Sequence, residues 1–280
     1  MKIVVTGGSG KVGQYVVREL VEGSHKVIVL DKAPPATLEG VRWVRGDVQD
    51  FGEVMSALIG TDAVIHMAAF TRPYREVPNH VLFRTNVVGA YNVHEAAYCL
   101  GIRRIVSTSS SAVLGWAYGE RELRPHYLPI DEDHPVNPQD PYGLSKLCGE
   151  HIARSYALKS EMETIVLRPA SVVLPEIARQ WRQQGGRRRD KFHVHTYVDV
   201  RDLAVAYRQA VTLPGLGHQV LFVVADDSTS SEPLCDLLPR LMPGLGDMAI
   251  SLTGVRSAIS NLRARQMLKW QPRHSWRVPD

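Results

Sequence analysis

Cysteine is scarce and poorly spaced for chemistry. Cys99, Cys148 and Cys235 stand far apart with no CxxC among them, which excludes a disulfide framework and a zinc ribbon. The histidines form no HExxH and no Cys/His ligand set, and no GxSxG is present, so neither a metal site nor a hydrolase nucleophile is expected. Long apolar runs are missing too: runs such as 27–30 and 63–69 suit buried strands and fall short of the roughly 18 residues of a membrane helix. The amino terminus enters a strand pattern at once (Met1-Lys2-Ile3-Val4-Val5) without the succession of an export signal. A reducing, cytoplasmic setting is the expectation, with no membrane partner. A large excess of charge of one sign is missing as well. The 33 basic and 29 acidic residues leave +4, and 179–191 holds six basic residues (Arg179, Arg182, Arg187, Arg188, Arg189, Lys191) against Asp190. A nucleic-acid binder would spread its Lys and Arg over a face or groove. The basic stretch reads instead as a solvated loop around Gly185-Gly186 or as a site for an anionic substrate.

What is present is the balance of an ordinary globular protein, 44% apolar and 22% charged. Short β-branched runs at 2–6, 26–30, 41–45, 63–67, 104–108 and 164–167 alternate with helical stretches, the pattern of a parallel sheet wrapped by helices. Val12, Val16, Val17 and Leu20 share one helical face, and two longer helices are expected over 86–100 and 142–158. Beyond Leu167 the pattern weakens to a basic loop, a helix near 202–211 and a strand near 220–224. The expected fold class is therefore α/β, a Rossmann-type doubly wound parallel sheet. A dinucleotide-binding domain over 1–168 would be followed by a small substrate-covering lobe over 169–280, interleaved with the last elements of the sheet.

The glycine stretch Thr6-Gly7-Gly8-Ser9-Gly10-Lys11-Val12-Gly13 follows the first strand and opens the first helix. In that context Gly7 permits a tight turn, Gly10 lets the backbone approach a pyrophosphate, and Gly13 lets helix and strand pack closely. The second strand ends at Asp31, where a carboxylate would meet a ribose 2'-hydroxyl and repel a 2'-phosphate, so NAD is expected in preference to NADP. Lys11 and Lys32, either of which could reach a phosphate, weaken that preference. Further along, Tyr142 and Lys146 are four residues apart in a helical stretch and so share a face. A nearby ammonium favours the ionised form of a phenol, which makes Tyr142 usable as a general base. Cys148, on the same helix, reads as a packing residue rather than a nucleophile.

The TGxxGxxG spacing, Gly46-Asp47-Val48, His66-Met67-Ala68-Ala69, Tyr142-Gly143-Leu144-Ser145-Lys146, Leu167-Arg168-Pro169, Tyr197 to Asp202 and Leu268 to Pro272 together resemble the extended short-chain dehydrogenase/reductases, the NAD-dependent epimerase/dehydratase family. The resemblance implies that Asp47 and Val48 flank the adenine and that Ala68 and Ala69 line the cofactor groove. It implies that Asn86, which could otherwise cap a helix, supports the active-site helix, and that Lys146 also binds the nicotinamide ribose. Counting back from Gly115, as in the family's SSxxVYG stretch, selects Ser110 as the hydroxyl that holds the reacting oxygen, with Ser109 and Ser111 as alternatives. Leu114 stands where the family usually has Tyr. The resemblance also implies a homodimer that pairs the two long helices into a four-helix bundle.

The interval from Pro169 to Tyr197 is only 28 positions, short for a lobe that wraps a nucleoside diphosphate. The chain is similar to the compact uronate dehydrogenases, which implies a free sugar or sugar acid as substrate, contacted by Ser171 and Ser111. Arg179 or Arg182 would take its carboxylate, and Thr71 and Arg72, after the fourth strand, would face the same pocket. The alternatives are a nucleotide-sugar epimerase or dehydratase with a shortened lobe, and a non-catalytic NAD-sensing protein.

Overall fold

The computed structural model describes residues 1–37, 39–73, 77–186 and 195–279. The main sheet is built from β1 (Lys2–Thr6), β2 (Lys26–Asp31), β3 (Val41–Arg45), β4 (Ala63–His66), β5 (Arg104–Thr108), β6 (Glu163–Pro169) and β9 (His218–Val223). A separate pair is formed by β7 (Ser171–Val173) and β8 (Tyr197–Asp199). The sheet order is β3-β2-β1-β4-β5-β6-β9, and every pairing is parallel. Chain direction along the sheet reverses between β1 and β4, which opens a crevice at the carboxyl ends of these strands.

The strands are nearly continuous apolar runs because both faces are covered. In β1, Ile3 and Val5 enter one core with α1 (Gly13–Glu22), α6 (Val200–Thr212) and α9 (Leu262–Leu268). Val4 faces the other core, with α2 (Phe51–Leu58), α3 (Asn79–Cys99) and α4 (Pro141–Lys159). The face expected for the first helix is the one buried: Val16, Val17 and Leu20 lie inward. Across 189 positions Arg208 Nε donates to Glu19 Oε1 at 2.6 Å, tying α6 to α1. The remaining helices are α5 (Pro175–Gln184), α7 (Leu234–Leu241) and α8 (Gly246–Ala249).

Two expectations need correction. Helix α3 begins at Asn79, seven residues before the expected start, because Pro78 sets its entry and a polar first turn (Asn79, His80) shows no apolar period. Asn86 therefore lies inside the helix and cannot be its cap. The first part of the basic stretch is not a loop: Arg179 and Arg182 belong to α5, which ends in left-handed Gly185. Arg187, Arg188, Arg189 and Lys191 lie outside the described residues.

The carboxyl-terminal segment returns to α6. The Trp270 indole donates to the Asp202 carbonyl, while the Asp202 carboxylate accepts from the Arg273 and His274 amides and from His274 Nδ1 at 2.7 Å. No described helix is long and apolar enough to cross a membrane.

Candidate active site

A cleft of about 510 Å³ lies at the carboxyl ends of β1, β2 and β4. Gly7, Gly10, Lys11, Val12 and Gly13 form its floor, Asp31, Asp47 and Val48 one wall, and Ala68, Ala69, Thr71 and Arg72 the other. Gly7 has φ +73°, and a Cβ there would stand 2.6 Å from the Ala68 nitrogen, while a Cβ at Gly13 would fall on the Gly7 carbonyl oxygen. The fold itself demands both glycines. Gly10 is different, since an added Cβ would meet only the Gly7 oxygen, at 3.2 Å. Its bareness leaves backbone open to the cleft, as a bound pyrophosphate requires.

Asp31 ends β2 with its carboxylate in this cleft, accepting from the Ser9 amide at 3.1 Å and the Ala33 amide at 3.4 Å. Lys32, expected to weaken a preference for NAD, also borders the cleft, but its charge is paired there: its ammonium lies 2.8 Å from Asp47 Oδ2. Burial would raise the Asp47 carboxyl, but hydrogen bonds from Lys32 and the Gln49 amide outweigh it and hold the group below its ordinary value. Lys11 is the exposed cation of the cleft floor. The residues present thus fit a dinucleotide: a glycine turn for the phosphates, Asp31 for a ribose hydroxyl, and apolar Val48 and Ala68 beside them.

Helix α4 carries Tyr142 and Lys146. Asp140 caps it, accepting from the Tyr142 and Gly143 amides, both at 2.9 Å, and Pro141 occupies the first turn. This Asp-Pro start is a signal visible in the sequence, and it fixes the backbone that presents Tyr142. Lys146 Nζ lies 5.7 Å from the Tyr142 ring centroid and donates to the Thr108 carbonyl at 2.8 Å. Burial brings the Lys146 amine down to about 8, against an opposing pull from Glu150. The Tyr118 ring stands edge-on to Tyr142 at 6.3 Å, a neighbour that no local pattern announces. Cys148, on the same helix, has its thiol pushed up by burial, the opposite of an activated nucleophile.

The three serines after β5 are sorted by the fold. Ser109 is buried and donates to Glu150 Oε1. Ser110 caps a 3₁₀ turn over Ser111–Leu114, its hydroxyl accepting from the Ala112 amide at 3.1 Å. Ser111 is the first residue of that turn.

Asn86 joins α3 to α4. Its amide donates to Ser145 Oγ and the Phe70 carbonyl, both at 3.0 Å, while its carbonyl accepts from the Phe70 amide at 2.9 Å. Thr85, beside it, lines the cleft with its hydroxyl buried and without a hydrogen-bond partner. Sequence reasoning missed it, because a threonine inside a helix carries no local mark.

The substrate candidates divide. Thr71 and Arg72 border the cleft, and Ser171 opens β7 in register with Tyr197. Arg179 and Arg182 do not line the cleft: Arg179 is exposed on α5, and Arg182 Nη1 donates to the carbonyls of Trp276 and Val278. Among the described residues no group of three His, Cys, Asp or Glu is placed to hold a metal ion.

Comparison with known proteins identifies relatives of the chain. The model of the NAD dependent epimerase/dehydratase family matches residues 3–220. A protein of Methanocaldococcus jannaschii described as a putative UDP-glucose 4-epimerase is 36% identical over 177 residues, covering 61% of this chain and 55% of the relative. The chain thus spans about half the length of that relative. A uronate dehydrogenase of Pseudomonas syringae is 28% identical over 232 residues, 81% of this chain and 76% of that protein. Among solved structures, a short-chain dehydrogenase/reductase superfamily protein from Agrobacterium tumefaciens with bound NAD is 26% identical, with a TM-score of 0.75 over 99% of this chain and 94% of the other. The glycine cradle, Asp31 and the Tyr142–Lys146 pair thus sit in a chain that belongs to the NAD-dependent epimerase/dehydratase family of extended short-chain dehydrogenases/reductases, an enzyme family whose cofactor is NAD.

Proposed function

We propose that the chain oxidises a free sugar or sugar acid of the uronate class, using Ser110, Tyr142 and Lys146. The observation that carries this reading is the brevity of the segment between β6 and β8. It contains a strand of three residues and a helix of ten within 28 positions, little with which to enclose a base, ribose and pyrophosphate. The likeness to a uronate dehydrogenase over 81% of the chain supports it.

When bound, NAD supplies the acceptor for hydride from the substrate carbon. The glycine cradle and Asp31 would hold its adenosine half, and Lys146 its nicotinamide ribose. The protein orients and moves a proton. Ser110 Oγ holds the substrate oxygen, and the Tyr142 phenolate takes the proton from it. The Lys146 ammonium, fixed on the Thr108 carbonyl, stabilises the phenolate. Arg72, the candidate arginine that borders the cleft, takes the role of carboxylate partner, with Thr71, Ser111 and Ser171 around the sugar. A guanidinium meets a carboxylate through two parallel hydrogen bonds that a lysine cannot reproduce.

The test is NADH absorbance across a panel of free uronates, aldoses and nucleotide sugars. Net NADH from a uronate is expected. Interconversion of a nucleotide sugar without net NADH would replace this reading with the epimerase one, which the 36% identity to the Methanocaldococcus protein favours. Cofactor binding with turnover of nothing in the panel would leave an NAD sensor.

A further inference from the structure

Glu150 stands two helical turns after Tyr142 and one after Lys146, so the three share a face of α4. It is buried, and so is its partner Arg168 on β6: Arg168 Nε donates to Glu150 Oε1 at 2.8 Å and Nη2 to Oε2 at 2.7 Å. Ser109, next to Ser110, donates to the same carboxylate. Stability alone does not account for this arrangement. A buried ion pair is often no better than apolar residues of the same volume, because desolvating two charges offsets their attraction. This pair is also incomplete, since Arg168 Nη1 is buried with no hydrogen-bond partner among the described residues. Lys146 and Glu150 line one small polar chamber of about 20 Å³, with His66, His94, Ser109 and Ser145.

We propose that Glu150 is a positioning residue whose carboxylate, clamped by Arg168 and Ser109, keeps the buried Lys146 side chain in its ammonium form and directed at Thr108. The surrounding charges leave this task to Glu150. His66 on β4 is kept neutral by burial and by Lys146 itself, and His94 on α3 is lowered to about 4 by burial, so neither is charged near neutrality. Tyr142 on α4 and Tyr207 on α6 supply phenols near Thr108, and the Tyr207 hydroxyl lies 2.6 Å from Thr108 Oγ1. Tyr207 is raised by burial and stays protonated. Around the ion pair itself, His218 on β9 faces both Glu150 and Arg154 of α4, while Glu132 faces Arg168; burial lowers His218 and raises Glu132. Of these groups, the carboxylate of Glu150 is the one that opposes the effect of burial on Lys146.

The inference rests on Lys146 acting beside Tyr142, but its test needs no substrate. The chain has eight lysines, few enough for ¹³Cε-labelled lysine resonances to be followed with pH in the folded protein, cofactor-free and NAD-loaded. The Lys146 signal is assigned by its loss in Lys146→Arg. In the parent it should titrate near 8. In Glu150→Gln the midpoint should fall by about one unit or more, and in Glu150→Asp it should return most of the way. If Glu150→Gln fails to fold with Arg168 unpaired, Glu150→Gln/Arg168→Met removes both charges and should still lower the midpoint. An unchanged midpoint in whichever of these variants folds would overturn the proposal. Failure of the uronate reading would appear in the NADH panel and leave this titration untouched.

Discussion

Ser109, Ser110 and Ser111 show how one residue type acquires three roles from position alone. Strand alternation turns Ser109 inward to Glu150, while the chain leaving β5 puts Ser110 at the cap of a 3₁₀ turn and Ser111 in its first position. Ser110→Ala should therefore lower kcat sharply while costing no more stability than the loss of one cap, whereas Ser109→Ala should act mainly on thermal stability, which melting curves and initial rates together would separate. Tyr142→Phe should keep cofactor affinity and lose turnover by at least ~10², the lower end of what a positioned base contributes; normal turnover would remove Tyr142 from the mechanism. Asp31→Ala should narrow a preference for NAD over NADP of at least about tenfold, measured by titrating both cofactors. Lys146 adds a dependence on pH. It titrates near 8 in the fold and near 10.4 when unfolded, so between these values the unfolded chain binds more protons. Its contribution to stability therefore rises with pH, by up to roughly 1.4 kcal/mol per unit. Urea unfolding of the parent against Lys146→Met should show that slope lost in the variant.

At the scale of elements, α4 acts as the rigid mount of the site. Its first turn presents Tyr142, its second Lys146 and its third Glu150, and the Asp140 cap fixes where the register starts. Asp140→Ala should cost about 1 to 2 kcal/mol, as loss of a good N-cap does, and lower kcat more than KM. Asp140→Ser, which can still accept from the amides, should restore most of both. The four-residue spacing and the glycine turn were legible because each depends on residues within a few positions of one another. The start of α3 was not, since its polar first turn lacks the apolar period by which a helix is recognised, and α5 was hidden by its many charged and glutamine side chains. Asn86 was readable as a support for the active-site helix, but its bonds to Phe70 and Ser145 join segments 16 and 59 positions away.

Over the whole molecule, the carboxyl-terminal segment is tied to α6 through Asp202. That buried carboxylate accepts two amides and the His274 ring, and hydrogen bonds to a charged group contribute about 1.5 to 3 kcal/mol each. Asp202→Ala should accordingly lower the unfolding free energy by roughly 2 kcal/mol or more in a urea titration, with the cofactor site on β1 and β2 the last to lose affinity. Truncation after Leu268 should do the same and also free Arg182, whose partners are Trp276 and Val278.

The sequence by itself determined the strands of the main sheet, the glycine turn, the acidic end of β2 and the tyrosine–lysine pair, because local steric rules and the helical and strand periods act over a few residues and leave a pattern that can be read directly. Only the tertiary structure decided which serine lies beside Glu150, that Lys32 is held by Asp47, and that Arg182 serves the carboxyl terminus rather than the cleft. Those outcomes depend on which distant groups the packing brings within hydrogen-bond reach, and no local periodicity encodes a partner 94 positions away.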